Sequence, residues 1–105
     1  MFGLFRKKSD LEELTGFIAR SIQYALDNAK REVYKEFINK NYSQYDKMYA
    51  ETLYLMHTLN EVKKALYSRV HEIAKKYNNY SYVDVQNHIN TLCKEYADRI
   101  EKGNI

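Results

Sequence analysis

Three histidines, one cysteine and a short acidic series are the side chains of this 105-residue chain whose types could do chemistry. Histidine and cysteine serve metals and nucleophilic reactions, and paired carboxylates serve acid–base work or cations. Spacing decides whether they can act together. His57 and His71 fall about four turns apart on one helix, too far to share a metal ion. His71 opens the stretch HEIAK, which begins like the helical zinc motif HExxH, but Lys75 stands where the second histidine belongs. No Glu-x-x-His pair is present for a two-metal bundle site.

Cys93 sits in LCKEY beside Leu92. A reactive thiolate wants a helix N-terminus or a basic partner, so this position reads as a small buried hydrophobe. Glu95, Asp98 and Glu101 recur every three residues but alternate with Lys94, Arg99 and Lys102, the pattern of a solvated helix face. A Gly-rich phosphate loop, a Gly-x-Ser-x-Gly turn and a paired-cysteine motif are all missing. No catalytic, cofactor-binding or metal-ligating residue is assigned, no small-molecule substrate is indicated, and the expectation is a non-enzymatic protein.

The elements that carry these residues follow from composition and periodicity. The chain has no proline, three glycines and 30% charged residues, which favours long helices over short strands and turns. Helix one is expected over 10–39. Ser9 and Asp10 offer N-caps, and Leu11, Leu14, Ile18, Ile22, Ala25, Ala29, Val33 and Phe37 form the apolar stripe. Gly16 interrupts it.

Helix two is expected over 44–77, capped by Ser43 or Asn41. Its seam runs Tyr45, Met48, Thr52, Leu55, Leu59, Val62 and Leu66, then shifts phase by one to Val70, Ile73 and Tyr77. Tyr49, Leu53, Met56, Tyr67 and Ala74 widen that stripe, so this helix should touch two neighbours. Helix three is expected over 82–102. Ser81 and Asp84 start it, Tyr82, Val85, Ile89, Leu92, Cys93, Tyr96 and Ile100 form its stripe, and Gly103 ends it.

Short connections make neighbouring helices antiparallel. The fold class is therefore all-α. It is an elongated antiparallel three-helix bundle, or a long helical hairpin plus a shorter third helix that dimerisation completes. Residues 1–8 stand outside this single helical domain (9–105) as a tail.

Charge singles that tail out. Arg6, Lys7 and Lys8 are three of 17 basic side chains against 14 acidic ones, so the body is formally neutral and the tail holds the surplus. Phe2, Leu4 and Phe5 precede the basic block. Three readings follow: a peripheral tether to an anionic membrane surface, an anchor for a protein partner, or a flap folded over the bundle's own end. The apolar run is too short, and on the wrong side of the charge, for a secretory signal. No stretch reaches the ~18 apolar residues of a membrane span. The lone cysteine fits a reducing compartment, so a cytoplasmic location is expected, with a peripheral membrane location as the second reading.

A second apolar line marks helix one: Phe17, Tyr24 and Ile38 at steps of seven, with Arg31 in the missing slot. It points away from the main stripe and is the candidate face for an oligomer or partner. The basic pairs Lys30–Arg31, Lys63–Lys64 and Lys75–Lys76 all have acids close in sequence, which argues against nucleic acid. The leading reading is an adaptor, chaperone-like accessory or assembly subunit that works by helix-face contact and self-association. A membrane-tethered protein is second and a nucleic-acid accessory protein third.

Overall fold

Periodic apolar residues with capping residues at each break build four helices: α1 (Asp10–Ile38), α2 (Gln44–Tyr67), α3 (Val70–Lys76) and α4 (Tyr82–Glu101). The computed structural model describes residues 10–38, 43–77 and 80–104, and helix is the only regular structure among them. The chain is all-α. Helix α2 packs on α1 and on α4, α4 also packs on α1 and α3, and the molecule measures 59 × 28 × 20 Å.

The helix ends are written in side chains. The Ser43 hydroxyl accepts from the Asp46 N–H at 3.1 Å and caps α2. Ser81 and Asp84 form a reciprocal capping box at the start of α4. The Asp84 N–H donates to Ser81 Oγ at 3.1 Å, and the Ser81 N–H donates to the Asp84 carboxylate at 3.0 Å. At the other end Gly103 takes a left-handed φ of 74°. The Asn104 N–H reaches the Arg99 carbonyl and the Gly103 N–H reaches the Ile100 carbonyl. That pair of bonds is the Schellman stop, and it ends α4 at this level.

Helix two of the sequence analysis is not continuous over 44–77. It stops at Tyr67 and resumes at Val70. The Ser68 hydroxyl donates to the Ala65 carbonyl at 2.7 Å, and the Arg69 N–H bonds three residues back to Leu66. This tight turn absorbs the phase shift between Leu66 and Val70, so both reach the core. Arg69 then bonds Glu72 in the first turn of α3 at 3.0 Å, which holds that carboxyl below its ordinary value.

The core is a single cluster. Ile18, Ile22 and Leu26 of α1, Leu55 and Leu59 of α2, and Val85 and Ile89 of α4 are all at most 3% exposed. Several expected stripe positions differ: Met48, Tyr49 and Leu53 of α2 are each more than half exposed and Tyr82 of α4 is 47% exposed, while the side chains of Phe37 and Tyr45 lie outside the described residues. Leu11 is 46% exposed, and Leu26 is fully buried where Ala25 was expected. Both Ala25 and Leu26 follow Ile22 at helical spacing, and the larger side chain takes the core.

Helix α1 has a weak point at Gly16. A Cβ there would meet only the flexible end of Arg20, with Nη1 at 3.0 Å. Gly16→Ala should therefore stabilise the fold by about 1 kcal/mol. Ile89→Ala should cost about 2–5 kcal/mol through the lost burial and the cavity left behind. Chemical denaturation measures both, and a destabilised Gly16→Ala would mean the glycine serves a helix contact.

The capping box predicts a pH effect. The Ser81 N–H, and then its hydroxyl, hold the Asp84 carboxyl below its ordinary range. The bond's contribution is thus complete above the unfolded-state value and is lost as pH falls through the folded one. Thermal unfolding of Asp84→Asn should differ from the parent at neutral pH and converge with it in acid. A gap independent of pH would remove this role.

Candidate functional site

The side chains with chemical potential are dispersed. His57 is exposed on α2. His71 is exposed and stacks on Tyr82, with ring centroids 4.5 Å apart. His88 is half-buried, and its Nε2 lies 2.7 Å from Thr15 Oγ1, joining α4 to α1. Among the described residues no group of three or more His, Cys, Asp or Glu side chains is placed to hold a metal ion.

Cys93 is buried against the α2–α4 seam, beside a cleft of about 390 Å³ lined by Met56, Asn60, Lys63, Asn90 and Ala97. Burial pushes its thiol up, against a smaller opposing pull from Lys63. In the acidic series, Asp98 pairs with Lys102 at 2.9 Å on the surface. The basic pairs are engaged locally. Lys64 meets Glu61 at 3.5 Å, Lys63 lies over the Tyr67 ring, and Lys76 lies over the rings of Phe17 and Tyr77.

The tail residues Phe2, Leu4, Phe5, Arg6, Lys7 and Lys8 lie outside the described residues. The candidate line on α1 does not present one uniform face. Phe17 is half-buried and packs against the core cluster, with Lys76 Nζ 5.6 Å from its ring centroid. Tyr24 is 60% exposed, and Arg31 is exposed and donates to Asn28. Ile38 closes α1, and its side chain lies outside the described residues.

A larger apolar face lies at the tip of the α1–α2 hairpin. Two lines on α2 lead to it. The first runs Tyr67, Lys63, Asn60, Met56, Leu53 and Tyr49. Its first four members border α4: Tyr67 hydrogen-bonds Asn90, and Met56, Asn60 and Lys63 share their cleft with Ala97. Because α2 and α4 are antiparallel, Glu101 brings α4 to an end about one turn beyond Ala97. Leu53 and Tyr49 continue the line past that end and are 54% and 62% exposed.

The second line is the core seam. Leu66, Leu59 and Leu55 are at most 4% exposed, and Met48 two turns further on is 60% exposed. Tyr34 on α1 is 68% exposed, and Tyr54, about 140° around α2 from Tyr49, borders a separate shallow groove with Val33 and Ala50. Met48, Tyr49 and Leu53 belong to the apolar stripe of the sequence but are exposed in the structure. They are core-type residues that lie beyond the reach of α4. The signal was present in the element lengths, since a 29-residue helix exceeds a 20-residue partner by about 13 Å.

Comparison of the chain with known protein families, curated proteins and solved structures finds no match. Among the described residues no helix is long and apolar enough to cross a membrane.

The buried thiol gives a direct check on this geometry. Cys93 should react with a disulfide reagent far more slowly in the native protein than in the urea-unfolded chain. Thiol titration with and without urea measures this, and equal rates would place Cys93 outside the core.

Proposed function

We propose that this protein is a non-enzymatic helical contact protein, an adaptor or assembly subunit, that engages a protein partner through the tip of its α1–α2 hairpin. The observation that supports this reading is the continuation of the α4-docking face of α2 beyond the end of α4. Tyr49 and Leu53 on that face, Met48 on the adjoining core seam and Tyr34 on α1 are each more than half exposed.

The residue types suit contact. Tyrosine provides a large rigid ring and a polar tip, so it anchors an interface at a low cost in side-chain entropy and stays soluble when uncovered. Methionine adapts to the shape of what covers it.

Site-specific photo-crosslinking in the producing cells tests the reading. A benzoylphenylalanine residue replacing Tyr49 should give discrete protein adducts. The same residue replacing Glu95, exposed on α4, should give few or none. Equal adduct patterns from the two positions would reject the tip as the working surface.

A further inference from the structure

We draw no further inference here: the strongest candidate, the exposed apolar surface at the tip of the α1–α2 hairpin, belongs to the site already described, and nothing in the structure shows what covers it.

Discussion

An apolar helix stripe is covered only as far as its neighbours reach, and in this protein α4 is shorter than α1 and α2. Most of the architecture follows from that mismatch. Where α4 is present, the α1 and α2 stripes close into a core: Ile22, Val85 and Ile89 have no solvent exposure at all. Where α4 stops, the same seam on α2 goes from Leu55 at 3% to Met48 at 60% exposure. The stop is encoded locally. Gly103 adopts a left-handed backbone that costs other residues about 1–2 kcal/mol, and its motif satisfies the last carbonyls of α4.

The fold was largely legible because its signals are local. Ser43, Ser81 with Asp84, and Gly103 each act within a few residues, and each helix boundary they mark is observed. The stripe of α4 was legible for the same reason from Val85 onward: Val85, Ile89, Leu92, Cys93, Tyr96 and Ile100 are all buried, while Tyr82 in the first turn is 47% exposed. The break at Ser68 and Arg69 was visible only as a phase slip. Nothing in the local sequence says whether a helix absorbs such a slip by twisting or by turning. Ser68 decides it by bonding the Ala65 carbonyl, and that choice depends on Val70 and Ile73 finding the core.

The candidate surface was harder to read, because exposure is a tertiary quantity. The periodicity of Tyr49, Leu53 and Met56 is the same whether or not a helix lies across them. Only the register of α4 against α2, fixed by contacts such as Tyr67 with Asn90, shows which of the three is covered. The same limit applies to Phe17. Its spacing with Tyr24 suggested a shared outward face, yet Phe17 packs on the core beneath Lys76 while Tyr24 remains in solvent. Helical spacing places residues on one line, and the neighbours' lengths decide which parts of that line face water.

The tyrosines show how one residue type serves both situations. Tyr77 and Tyr96 are 7% and 8% exposed, and Tyr67 and Tyr80 are half-buried at the edge of the core. There the ring contributes burial and the hydroxyl keeps to the rim, as Tyr67 does in bonding Asn90. Tyr34, Tyr49 and Tyr54 instead stand on the tip. Leucines at those three positions would give a comparably apolar patch with no group able to hydrogen-bond water. That patch would be prone to indiscriminate association. A surface edged by tyrosine hydroxyls remains compatible with water while it is uncovered.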